Sequence, residues 1–337
     1  MQQRKQNILK AVVNEFTLTA VPVASQALVT RHFVNLSPAT VRNELSELVD
    51  LGYLDQPHTS AGRVPTDRGY RYFVDFLMDM VPVPPQIDSF IEGELSVVPD
   101  PQVLAEKVAN VIATVTQNAA VVTAPHGPQA RIKHLDLISL EPKEILIVLL
   151  VEGNLIRQQA ITVSRAVTQA ELTRLANKVN RTLKGSDREE VRSRIARVRD
   201  SLERELLSQL ELVLELFERG AGTLVVHDGV RNLIKQPEFA QSARLNEVLE
   251  VLEETRYLAA LLQELAAGSE MQIVIGSEHR TSQLRSCAVI LTTYGPSRRL
   301  KGVLGVVGPT RMDYGATVGR LQTVARHASE RMVEDLW

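Results

Sequence analysis

The sequence predicts an α+β multidomain protein with a winged helix-turn-helix domain at its N-terminus and an α/β domain interrupted by a mostly helical region. Three observations carry that reading. The order helix, helix, turn, helix, hairpin, helix fills the residues before 80. Pro82, Pro84 and Pro85 then mark a boundary, because clustered prolines stiffen the backbone toward polyproline II. Beyond it, two groups of strand-like runs flank a stretch of sustained helical periodicity.

Composition bounds the function. A chain of 337 residues has room for two or three domains at roughly 150 residues each. With 44% hydrophobic and 23% charged residues it is globular in composition rather than disordered. Cys287 is the single cysteine, so neither an intramolecular disulfide nor a cysteine-based zinc cluster can form. Met1 to Phe16 carries Arg4, Lys5, Lys10 and Glu15 around a short apolar stretch, which does not fit a secretory signal. No run reaches the ~18 apolar residues of a membrane span. Ile145–Val151 is halted by Glu152 and Gly153 and reads as a buried strand. The expected location is therefore the cytoplasm, with no membrane partner. The net charge is -2, and in residues 1–80 eight bases face eight acids. Nucleic-acid binding must consequently be argued from where the bases sit.

Each N-terminal element has its own signal. Ile8, Leu9, Val12, Val13 and Phe16 follow helical spacing, and Ser25 caps a second short helix through Ala27, Leu28 and Val29. The third helix runs from Ser37 to Gly52. Ser37 suits the N-cap, Pro38 the first helical position, and Gly52 the left-handed position after the last turn. Val41, Leu45, Leu48 and Leu51 form its inward face. Ser37, Pro38, Ala39, Thr40, Arg42, Asn43 and Ser46 are left outward near the N-terminal end. A recognition helix needs that arrangement, with Arg and Asn suited to guanine and adenine edges. Tyr53–Gln56 and Arg63–Pro65 then read as two strands around the turn-rich tip Pro57–Gly62. This is a wing that offers His58, Thr59, Ser60 and Arg63 to phosphates. Thr66 caps a last helix whose Tyr70, Phe73, Val74 and Leu77 face one way. Seven of the chain's Phe and Tyr residues lie before residue 80, and core filling explains them better than base stacking.

After a Pro-rich linker over 80–88, residues 89–164 offer a helix (Val103–Gln117) and strands at Ile132–Leu140, Ile145–Val151 and Leu155–Val163. Residues 266–337 supply strands at Met271–Ile275, Ser286–Tyr294 and Leu300–Val307, then a helix from Asp313 to about Glu334. Residues 165–265 lie between them and are mostly helical. Ser186 and Glu189 form a candidate capping box, and Gly220 a stop, around one long helix or two abutting ones. Val191, Ile195, Val198, Leu202, Leu206, Leu210, Val213 and Phe217 step by three and four into a continuous apolar stripe. The stripe is the candidate dimer interface, with packing inside its own domain as the alternative.

The runs Leu36–Leu45, Leu51–Leu54, Gln56–Thr66 and Gly69–Tyr72 closely resemble the HrcA family of heat-inducible transcription repressors. Weaker similarity extends along the chain to Gly305–Pro309 and Arg311–Tyr314. The sequence departs from the family pattern at Val49, where an acidic residue is expected, and at Ala24, where glycine is expected. The resemblance implies a winged helix, a GAF-like domain and a dimerisation domain inserted within it. It further implies a homodimer on an inverted-repeat operator of chaperone operons, and dependence on the GroE chaperonin. A metabolite-responsive regulator, sensing a small molecule through the GAF-like domain, is the alternative. A module that has kept the winged helix for protein contacts is the third class.

No enzyme and no cofactor are expected. Gly302, Gly305 and Gly308 lack the Lys-Ser or Lys-Thr of a nucleotide loop and read as strand or bulge glycines. The histidines lack metal-ligand spacing, and Cys287 sits in a strand-like run as a buried thiol.

Overall fold

In the computed structural model the N-terminal periodicity becomes helices α1 (Gln3–Thr19), α2 (Ser25–Arg31) and α3 (Pro38–Asp50). Strands β1 (Leu54–Asp55) and β2 (Val64–Pro65) pair antiparallel, and α4 (Asp67–Phe76) follows. The structure describes residues 1–58, 61–96, 101–125, 130–152, 156–218, 225–240, 242–253, 271–297 and 300–335. Side-chain caps set the helix starts: the Ser37 hydroxyl accepts from the Thr40 amide, and the Thr66 hydroxyl from that of Gly69. Gly52 holds φ at +75°, as a chain leaving a helix through the left-handed region requires. Ile8, Leu9, Val12, Leu28, Val41, Leu45 and Leu48 close the core between the helices. Leu51, expected on the inward face, is 46% exposed because it already lies in the cap beyond the last helical residue.

The linker is shorter than expected. Pro84 and Pro85 start helix α5 (Pro85–Glu94), because a proline in the first turn forfeits only an amide that has no intrahelical acceptor. Helix α6 (Pro101–Thr116) leads into a five-stranded antiparallel sheet of β3 (Ala119–Thr123), β7 (Val225–Asp228), β8 (Met271–Ile275), β9 (Cys287–Ser297) and β10 (Leu300–Pro309). Its order is β7-β3-β10-β9-β8. Helix α6 and the last helix, α12 (Tyr314–Asp335), cover one face through Val108, Ile112, Leu304, Val306 and Leu321. Helices α10 (Val230–Ile234) and α11 (Ser242–Glu253) cover the other through Leu233, Val248, Leu252 and Val289. Gly302 sits at a register shift in β10, where a Cβ would strike the Tyr294 ring. It is a bulge glycine, as the sequence suggests.

Strands β4 (Ile132–Glu141), β5 (Glu144–Val151) and β6 (Ile156–Thr162) form a separate three-stranded sheet. Helices α7 (Gln169–Leu183), α8 (Arg188–Ile195) and α9 (Ser201–Glu218) pack on it around a core of their own. The expected division at 164/165 and 265/266 therefore shifts. The strands assigned to the first part of the α/β domain belong to the inserted unit, whereas β7, α10 and α11, assigned to the insert, belong to the five-stranded domain. Periodicity finds a strand but does not say which sheet it joins. The stretch after Ser186 holds two helices, α8 and α9, where one long or two abutting ones were expected, and its capping box is Asp187 with Glu190, one residue later than read from the sequence. Gly220 lies outside the described residues. Among the described residues no helix is long and apolar enough to cross a membrane.

The N-terminal domain is docked on the five-stranded one. Arg71 reaches the Glu278 carboxylate at 2.7 and 2.6 Å, and the Ser277 amide donates to Asp67 at 2.8 Å. Arg311 donates to the Thr17 carbonyl at 2.7 Å while also binding Glu238 and Gln236. The linker backbone crosses α12 at two glycines. A Cβ at Gly315 would lie 2.4 Å from the Asp79 carbonyl oxygen, and one at Gly319 2.7 Å from that of Val81.

Candidate nucleic-acid interface

Helix α3 presents its N-terminal turn to solvent because Val41, Leu45 and Leu48 are drawn into the core. Ser37, Pro38, Ala39, Arg42, Asn43 and Ser46 are exposed, and Thr40 is half-buried. The Ser37 hydroxyl accepts from the Thr40 amide in the cap and lies 2.8 Å from Thr40 Oγ1, so it holds the helix end. Ser46 Oγ donates to the Arg42 carbonyl at 3.1 Å and is likewise turned onto its own helix. Among the described residues, the exposed heads of Arg42 and Asn43 have no hydrogen bond or ion pair.

The hairpin is held against the rest of the domain by Arg63, whose backbone exchanges two hydrogen bonds with Val23, at 2.8 and 2.9 Å. Gly62 allows this contact, since a Cβ there would fall 2.5 Å from the Val23 carbonyl. The hairpin therefore lies beside the segment entering α2, and Arg42 and Arg63 line one cleft of about 440 Å³ together with Val23, Ser25, Gln56 and Gly62. Arg63 is half-buried, with its Nε shut away from solvent and unbonded. Gln56 crosses the turn to the Ala61 carbonyl at 3.2 Å and braces it. Sequence reasoning missed Ser25 and Gln56 as cleft residues, since only the Val23–Arg63 pairing brings the two segments together. His58 is exposed. Thr59 and Ser60 lie outside the described residues.

The remaining bases of residues 1–80 are occupied. Arg4 and Lys5 pair with Glu44, Lys5 also with Glu47 at 2.8 Å, Arg31 with Glu15 and Lys10 with Asp79. The Glu47 carboxylate holds the Lys5 ammonium above the ordinary lysine range. Arg71 belongs to the domain contact, and Arg68 lies over the Tyr53 ring at 4.9 Å. Among the described residues, Arg42 and Arg63, the bases lining the cleft, have no ion pair, Arg63 Nη1 donating at 3.5 Å to the Ala61 carbonyl.

The stripe expected at a dimer interface is placed differently. Val191, Val198, Leu202, Leu206, Leu210 and Val213 are buried, and Ile195 and Phe217 are packed against the same core. Strands of the same chain already cover the face, so it has nothing left to offer a second copy. The expectation is corrected to the alternative of internal packing. Apolar residues instead line the opposite face of the sheet, where Ile138, Leu140 and Ile156 are exposed and Leu146, Val148 and Leu150 half-buried.

Among the described residues no group of three His, Cys, Asp or Glu side chains is placed to hold a metal ion. Cys287 is buried, and burial pushes its thiol up to about 12, far from a reactive thiolate.

Residues 102–318 match the family model described as the HrcA protein C-terminal domain. The heat-inducible transcription repressor HrcA of Roseiflexus castenholzii is 37% identical, over 99% of this chain and 95% of its own length. Its counterpart in Carboxydothermus hydrogenoformans is 32% identical over 98% of both chains. A crystal structure described as a hypothetical protein at 2.2 Å resolution superposes with a TM-score of 0.60 at 22% identity, covering 99% of this chain and 98% of the other. At that identity the likeness concerns the fold alone.

Proposed function

The chain belongs to the HrcA family, and on that premise we propose that it is a heat-inducible transcription repressor that binds an inverted-repeat operator of chaperone operons as a homodimer. The observation that carries this reading is the cleft in which Arg42 of α3 and Arg63 of the hairpin stand together with no ion pair among the described residues. Residues 1–79 then act as a winged helix, with the first turn of α3 in the major groove and the hairpin against the backbone. The five-stranded sheet with helices on both faces is the GAF-like domain, and residues around 130–218 are the inserted dimerisation domain.

One such module makes few base contacts, so two copies on a two-fold operator are needed for useful specificity. We assign the subunit contact to the open face of the β4-β5-β6 sheet, whose apolar rows a second copy would cover. Dependence on the GroE chaperonin is part of the same proposal: unfolded proteins that occupy chaperonin during heat stress would withdraw it from the repressor and lift repression. A mobility shift on promoter DNA of the host's chaperone operons, with and without chaperonin, tests it. Retarded DNA whose amount rises with active chaperonin is expected. Binding indifferent to chaperonin across a heat ramp would transfer the switch to a small effector.

A further inference from the structure

The inserted unit carries a concentration of cations that its own carboxylates leave free. Arg192, Arg194, Arg197 and Arg199 fall within eight residues spanning the end of α8 and the connection to α9. Arg192 is bound to Glu211, but the side chains of Arg194, Arg197 and Arg199 have no ion pair or hydrogen bond among the described residues, and the last two are exposed. On α7, Arg174, Lys178 and Arg181 recur at steps of four and three and so share one face. Lys178 ties that face to the start of α9 through Glu203, three residues after the Asp200 carboxylate that caps α9. Both of these acids are thereby engaged, and Arg174 and Arg181, on the α7 face that Lys178 ties to the start of α9, are exposed and have no ion pair among the described residues.

The cleft described above offers two guanidiniums per chain to DNA, Arg42 for base edges and Arg63 for phosphate. Specific DNA-binding proteins commonly neutralise roughly 6–10 phosphates, and the salt dependence of their affinity reflects that number. A two-fold dimer with one such phosphate contact per chain falls short, so further cations must come from elsewhere on the molecule. Protein partners, by contrast, are usually anchored by apolar or aromatic side chains. Among the described residues, none of the exposed large hydrophobic ones lies between Ile156 and Leu212. A row of unpaired guanidiniums without an apolar anchor suits a phosphodiester backbone, which offers charge and hydrogen-bond acceptors but nothing to bury.

We propose that Arg174, Arg181, Arg194, Arg197 and Arg199 form a second, sequence-independent surface for the phosphate backbone of duplex DNA flanking the operator. The proposal rests on the operator-binding reading and adds a contact that reading does not contain.

The test uses the full chain with Arg194, Arg197 and Arg199 all changed to Ala, a companion in which all three are Lys, and two promoter duplexes, one with long flanks and one trimmed to the operator. On the long duplex the Ala variant should lower the slope of log affinity against log salt by about 0.9 for each phosphate it no longer neutralises. On the trimmed duplex it should match wild type, and the Lys variant should keep most of the slope on both. An unchanged thermal midpoint shows that the insert has stayed folded. Equal slopes for wild type and the Ala variant on the long duplex would overturn the second surface while leaving operator binding intact. If that equality came with weakened binding of poly-glutamate, the patch would pass to an acidic protein partner. Wild-type protein that binds neither duplex would instead overturn the operator reading itself.

Discussion

Arg42 and Arg63 differ in what holds them, and the difference decides what each contributes. Arg42 projects from α3 with an exposed head that has no partner among the described residues, so Arg42→Ala should cost about 1–3 kcal/mol of operator affinity if the guanidinium makes a bidentate base contact. Titration at matched salt checks this, and affinity equal to wild type would remove Arg42 from base readout. Arg63 is pinned by its backbone to Val23, and its half-buried head lines the cleft. Arg63→Ala should weaken specific and nonspecific duplexes alike and reduce the salt slope by about 0.9, one phosphate contact. Both residues are legible in the sequence because caps and glycines fix local geometry: Ser37, Pro38 and Gly52 set the ends of α3, and the apolar spacing of Val41, Leu45 and Leu48 dictates which side faces out. The cleft partners Ser25 and Gln56 are not legible there, since they arrive through a pairing between segments about forty residues apart in the chain.

Whole elements are legible in kind but not in company. The unbroken apolar run Ile145–Val151 announces a strand, but the partners of β5 follow from short connections to β4 and β6, and these keep all three away from the larger sheet. The stripe from Val191 to Phe217 is recognisable as a face that must be dry, yet sequence alone leaves open what dries it. The structure supplies β4–β6 of the same chain. Leu206→Glu should therefore not give a well-folded monomer. It places a carboxylate among Leu202, Leu210 and Val213 without a partner and should cost on the order of 4 kcal/mol, unfolding the insert cooperatively in a thermal melt. Val148→Glu, on the open face of the same sheet, should leave that melt nearly unchanged and shift sedimentation from dimer to monomer. A Val148→Glu protein that remained dimeric would place the subunit contact elsewhere.

At the scale of the molecule, the seating of the linker and the docking of α4 hold the N-terminal domain against the five-stranded one. Gly315 and Gly319 let the chain at Asp79 and Val81 lie directly on α12, so Gly319→Val should lift the linker and speed proteolysis between residues 79 and 85 without unfolding either core. The docking also has a pH dependence whose sign can be worked out. Burial pushes the Glu278 carboxyl up, but the hydrogen bond from Arg71 and the Ile275 amide pull it down further, and it ends below the ordinary glutamate range. Asp88, which ties α5 to α12, is likewise held below the ordinary aspartate range, chiefly by its hydrogen bond to His327. A carboxyl with a lower pKa folded than unfolded stabilises the folded form fully above its unfolded value, and loses that contribution as pH falls through its folded one. Both contacts are thus intact at neutral pH and fail in acid below the ordinary carboxylate range. Because both lie at the junctions of α4 and α5 with the five-stranded domain, acid should loosen those junctions before the apolar cores give way. Hydrogen exchange corrected for intrinsic rates should show residues 67–79 and 273–278 losing protection first as pH falls, with β3 and β10 still protected. Glu278→Gln cannot titrate and keeps only a neutral hydrogen bond to Arg71, so its 67–79 segment should already be less protected at neutral pH and change less in acid. Simultaneous loss of protection in 67–79 and in β10 would show instead that the two domains unfold as one unit and that these carboxylates do not govern the junction.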